Sequence, residues 1–220
     1  MMSPVAQEKP RADEFAKRLG KSNSIPMGKI FALAKEFIDM PPAEIEKLLD
    51  SKRHEMRVGA VSIMDWKARA KATSDAGRKD LFDLYIRRHD RIDTWDLVDR
   101  SAPYVVGGYL AGKPRKILYK LARSANPCER RTAIVSTYFF IRQNDLDDTF
   151  GIAEILVGDG DVLVQKAVGS WVREAGKRDP RRLLQFLDRH AATLPRTILR
   201  YAIEKLGKAQ REHYLGLKAK

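Results

Sequence analysis

The chain has 220 residues and carries 42 Lys and Arg against 29 Asp and Glu, a formal charge of +13 with an isoelectric point near 9.9. A hydrophobic share of 44% is enough to build a core and excludes disorder as the overall state, while the basic excess points to a polyanionic partner, nucleic acid first. One cysteine, Cys128, excludes an intramolecular disulfide framework and any multi-cysteine metal site; with no apolar secretion signal at the start and no run of about 18 apolar residues, the expected setting is the cytoplasm, away from membranes.

Apolar positions recur at three and four almost throughout, which predicts an all-α chain. Residues 29–38 put Ile30, Leu33, Ala34 and Phe37 on one face, and residues 41–50 open on Pro41 and Pro42, a helix-start signal, and carry Ile45, Leu48 and Leu49. Further helices are expected over 54–72, 80–89, 94–111, 114–123, 127–143, 147–157, 161–177, 180–191 and 195–206, with short connections. Arg57, Arg131, Lys166 and Arg200 each open the second helix of an apparent pair, at intervals of 74, 35 and 34 residues, with Trp95 near the middle of the longest interval. A two-helix unit of this length cannot bury its apolar face alone and has to stack on its neighbours. The expected fold is therefore an α-solenoid of HEAT-like repeats, with a concave basic groove as its binding surface. The repeat domain is drawn at residues 25–206, between an N-terminal segment, 1–24, and a basic tail, 207–220, both expected to be loose.

Common catalytic signatures are missing: the chain has no Gly-rich phosphate loop, no HExxH and no GxSxG, and His54, His89, His190 and His213 lack ligand spacing. A metal or nucleotide enzyme is not expected. The segment DTWDLVDRSAPYVVGGYL, residues 93–110, is different. Asp93 or Thr94 can cap a helix on which Asp99 follows Trp95 by four residues, so the two share a face. Ala102, Pro103 and Val106 continue that line, which leaves a carboxylate on or beside an apolar stripe, an expensive place unless it is partnered. Two readings follow: an acid that hydrogen-bonds a neighbouring repeat or pairs with Arg131, or a catalytic acid beside an aromatic wall. Basic residues cluster as well, at Lys113, Arg115, Lys116, Lys120 and Arg123, then Arg130 and Arg131, then Lys166, Arg173, Lys177, Arg178, Arg181 and Arg182. As a set they argue for a phosphate track.

The string DTWDLVDRSAP, followed by ERRTAI and then QKAVGSWVREAGKRDP, resembles bacterial DNA alkylation repair glycosylases of the AlkD type, and RHEMRVGAVSIM with the Ile25-Pro26-Met27 to LAKEF region is similar to that family's earlier repeats. The likeness runs from about residue 25 to 206. It implies cleavage of the N-glycosidic bond of cationic bases such as N3-methyladenine and N7-methylguanine in double-stranded DNA; with no obvious interface and no metal or nucleotide motif in the chain, a monomer that uses neither cofactor nor metal is expected. Asp99 matches the family's catalytic acid, which stabilises an oxocarbenium-like sugar and orients the attacking water. Trp95 matches the aromatic that packs on the damaged nucleotide, and Arg131 and Arg173 match arginines that grip flanking phosphates; Lys166 and Arg57 extend that DNA-binding set. One position departs: Ser170 stands where the family has a tryptophan, and Trp171, one place later, points about 100° away around the helix, with packing in the core as its ordinary role; both are kept as candidate DNA contacts. A non-catalytic solenoid that binds DNA by shape and charge, and a protein-interaction scaffold, are the competing readings.

Overall fold

A computed structural model describes residues 11–22 and 24–217. Among them the regular structure is helical throughout, with no strand, and the chain divides into two compact units, Met1–Ser101 and Ala102–Lys220.

The first unit is built round α4 (His54–Arg69), whose central stretch Val58–Met64 carries only apolar and small side chains and is buried on every side. Against it pack α2 (Met27–Glu36), α3 (Pro42–Leu49), α5 (Asp75–Arg87) and α6 (Trp95–Ser101). The face predicted for residues 29–38 is the buried one: Ile30, Leu33, Ala34 and Phe37 are all inside. Pro42 sits at the start of α3 as expected, where its missing N–H costs nothing. Ser74 caps α5 by accepting from Gly77 N at 3.1 Å, so that helix starts five residues earlier than periodicity suggests.

In the second unit α12 (Val162–Gly176) is central and touches α9 (Pro127–Ser136), α11 (Asp147–Leu156), α13 (Pro180–His190) and α14 (Arg196–Ala202). Asn126, Asp161 and Asp179 cap α9, α12 and α13 with their side-chain oxygens. Gly169 lets α12 and α14 approach closely: a Cβ there would stand 2.5 Å from Tyr201 Cβ and 2.6 Å from the Ile198 carbonyl. The remaining pieces are α7 (Gly108–Leu110), α8 (Lys116–Leu121) and α10 (Tyr138–Ile141).

Two helices drawn as continuous from the sequence are not. Residues 94–111 form α6, a π-helical stretch over Ala102–Gly107, and α7. Pro103 has no N–H to offer the carbonyl of Asp99, four residues back, and the widened π turn accommodates that loss. Residues 127–143 divide at Thr137 into α9 and α10. The ends expected to be loose each hold a helix. α1 (Ala12–Leu19) buries Phe15, whose ring lies where a side chain at Gly59 would be, 2.4 Å from an added Cβ. α15 (Lys208–Gly216) buries Tyr214, whose hydroxyl donates to Asp188 Oδ1 at 2.7 Å. Residues 1–10, 23 and 218–220 lie outside the described residues.

Candidate functional site

In the first unit, α2, α4 and α6 enclose a cleft of about 470 Å³. Met27 and Phe31 from α2 and Val58 from α4 form its apolar wall, and Trp95, Asp96, Asp99 and Arg100 from α6 face them. Trp95 and Asp99 therefore do line one space, as their spacing predicts. Trp95 is 51% exposed and Met27 42%, large apolar side chains left at the surface on either side of the opening.

The start of α6 is tied to α4 by an ion pair and a hydrogen bond. Arg57 Nη1 donates to both carboxylate oxygens of Asp93 at 2.7 Å, and His54 Nε2 donates to Asp96 Oδ2 at 2.7 Å. Beneath the cleft, Arg100 runs back into the core. Its Nε donates to Ser62 Oγ at 3.1 Å and its Nη1 lies 3.0 Å from Oδ2 of the fully buried Asp65. Asp65 Oδ1 also accepts from Arg69 Nε at 2.8 Å. Burial pushes the Asp65 carboxyl up from its ordinary range, more than Arg100 and Arg69 pull it down, and burial likewise lowers the Arg100 guanidinium, against the pull of Asp65.

The other expected DNA-contacting residues belong to the second unit, except Arg57. Arg131 is buried and donates through Nη1 to the Leu163 carbonyl. Arg173 pairs with Glu174 and Glu204, Arg130 with Asp159, Arg115 with Asp145 and Asp148, and Arg182 with Asp147. Lys166 is exposed on α12. Ser170 is half-buried, and the Trp171 ring rests on Tyr138 with centroids 5.1 Å apart. Much of the basic track is thus already engaged with carboxylates and carbonyls of its own unit.

The helix boundaries bring out a register that the spacing of basic residues alone conceals. Arg131, Lys166 and Arg200 are each the fifth residue of α9, α12 and α14, and Arg57 is the fourth of α4. Asp99 is the fifth residue of α6. An acid occupies the slot where α9, α12 and α14 place a cation. Sequence reasoning missed Met27 and Phe31, which stand four apart on the flank of the α2 core face, and the pair Asp65 and Arg100. The first had a signal in that spacing; the second had none, because Asp65 stands where the apolar stretch of α4 gives way to its charged last turn, Lys67 and Arg69, and reads there as an ordinary surface acid.

The geometry defines an all-α helical-repeat protein with an acid-and-aromatic cleft in its first unit. The model of the family described as DNA alkylation repair enzyme matches residues 6–206, and the chain belongs to that family, which carries a role in DNA repair. A solved structure described as a predicted DNA alkylation repair enzyme from Enterococcus faecalis is similar in fold, with a TM-score of 0.66 at 18% identity over 84% of this chain and 87% of that one. No curated protein matches the chain. Among the described residues no helix is long and apolar enough to cross a membrane.

Proposed function

We propose that the protein is a monofunctional DNA glycosylase that excises positively charged N-alkylated purines, N3-methyladenine and N7-methylguanine, from duplex DNA. The observation that carries this reading is the shared cleft of Trp95 and Asp99. An N-alkylated purine is already cationic, so its nitrogen can take the electron pair of the C1′–N bond without prior protonation and leaves as a neutral base. The charge then resides on the sugar as an oxocarbenium ion. The Asp99 carboxylate beside C1′ stabilises that ion and orients the water whose oxygen bonds to C1′ as its proton passes to solvent. The exposed face of Trp95 gives a developing cation a second, softer attraction and keeps bulk water from that side. Arg57, Arg131, Lys166 and Arg173 are the proposed phosphate contacts. The enzyme acts as a cytoplasmic monomer, and the hydrolysis draws only on water and its own side chains.

The test is release of N7-methylguanine from methylated duplex DNA by the purified protein beside Asp99→Asn. Release by the wild type and at least about a 100-fold loss in the variant, with DNA binding retained, is the expected result; undiminished release would sink the assignment. The competing reading, a non-catalytic repeat protein that holds DNA by shape and charge, draws on Trp171, whose ring lies on Tyr138, leaving Ser170 where the resemblance places an aromatic. It predicts tight, salt-sensitive binding with no release from either protein.

A further inference from the structure

The cleft has three walls on three helices, and one side chain touches all three helices from below. Arg100 extends from α6, lies over the Phe31 ring of α2 at 4.5 Å, and lies over the Trp66 ring of α4 at 5.2 Å. Its head meets Ser62 and Asp65 on α4, and Trp66 Nε1 in turn donates to the Phe31 carbonyl at 3.3 Å. Phe31 is itself part of the cleft wall.

This arrangement is a poor way to stabilise a core. Removing two charges from water costs more than their attraction returns unless every donor and acceptor is satisfied. Here Arg100 Nη2 is buried without a hydrogen-bond partner among the described residues, and Asp65 Oδ2, though 3.0 Å from Arg100 Nη1, accepts no well-aligned hydrogen bond among them. Apolar side chains of the same volume would hold the helices together at least as well. They would not fix the rotation of α6 about its own axis, because an apolar contact has no preferred direction, whereas a planar guanidinium between two rings and two oxygens does. Rotation matters at this place. Asp99 precedes Arg100 by one residue, and a roll of about 10° moves a carboxylate about 6 Å from the helix axis by about 1 Å.

We propose that Arg100, held by Asp65, Ser62, Phe31 and Trp66, is a positioning residue that sets the rotation of α6 and so aims Asp99 and Trp95 into the cleft. The claim rests on the glycosylase reading for its effect on rate, and on geometry alone for its effect on Trp95. The decisive variant is the apolar double replacement Arg100→Met with Asp65→Leu. It is measured three ways: thermal midpoint, single-turnover release against duplex affinity, and the Trp95-specific emission and its quenching by acrylamide, taken as the difference from a Trp95→Phe partner. The expected result is a midpoint equal to or above wild type, duplex affinity within about twofold, release slowed by about 100-fold, as for an error of about 1 Å in a catalytic group, and a shifted Trp95 signal. A stable double variant with wild-type release and an unshifted Trp95 signal overturns the proposal. If the double variant does not fold, Arg100→Lys, which keeps the charge and loses the planar fork, carries the test: slower release at unchanged affinity supports it and wild-type release overturns it. If the wild-type protein itself releases no base, the glycosylase reading falls, and the Trp95 signal still decides the positioning claim in either direction.

Discussion

Asp65 and Glu174 answer to acid in opposite directions. Glu174 is pushed up by burial but pulled further down by Lys177 and Arg173, so its carboxyl ends below its ordinary range, and Glu46, through Arg88 and Arg87, and Asp50, through Arg88, are lowered too. A group whose folded value lies below its unfolded one contributes stability at neutral pH that is lost as pH falls through the folded value. Asp65 has its folded value raised above the ordinary 3.8; its contribution is present below that pH and is lost as pH rises through the raised value. Urea midpoints should therefore fall for wild type between pH 7 and pH 3. They should fall further for the Arg100→Met, Asp65→Leu variant, which keeps the first group of acids and lacks the opposing one. Equal losses in the two proteins would contradict the assignment for Asp65. At this scale the sequence made Trp95 and Asp99 legible, since their four-residue spacing is a local fact about one helix. It could not show that Arg131, Arg173 and Arg57 are occupied by Leu163, by Glu174 and Glu204, and by Asp93, because an arginine's partner is set by tertiary packing and a run of basic residues reads the same whether or not it is engaged.

At the scale of elements, helix starts were better announced than helix continuity. Pro42, Pro127 and Pro180 stand at first-turn positions, and Asn126, Asp161 and Asp179 cap helices that begin within one residue of where they are expected, whereas α5, capped by Ser74, begins five residues early. The interruption of 94–111 was also written in the chain, at Pro103, but periodicity outweighs a single proline when apolar residues continue on both sides. The close approach of α12 and α14 turns on Gly169, which carries no periodic signal. Gly169→Ala should cost about 1–3 kcal/mol, because its methyl group meets the Tyr201 Cβ and the Ile198 carbonyl rather than the end of a flexible chain. Chemical denaturation of the variant beside Gly158→Ala, where no atom lies within 4 Å of the added carbon, checks this; equal midpoints would show that the two helices can separate without penalty.

Over the whole molecule, the charge of +13 favours any stretch of DNA, damaged or not. The fold class was legible because the helical period, the two-helix repeat and the short connections agree with one another, which is what a repeat architecture requires of its sequence. The division of function among the repeats was less legible, because it depends on a register visible only once the helices have their true ends. In that register Asp99, Arg131, Lys166 and Arg200 are each the fifth residue of their helix, Arg57 falls one place earlier in its own, and of the five only Asp99 is negative. Its consequence concerns search as much as chemistry. A carboxylate lining the proposed binding cleft is repelled by each phosphate it passes, so under the proposed function it weakens dwell on intact duplex and is relieved only where the base itself brings a positive charge. Asp99→Asn should then bind undamaged duplex several-fold more tightly than wild type, most clearly at low salt, while the wild type keeps the faster exit from sites it has no reason to occupy.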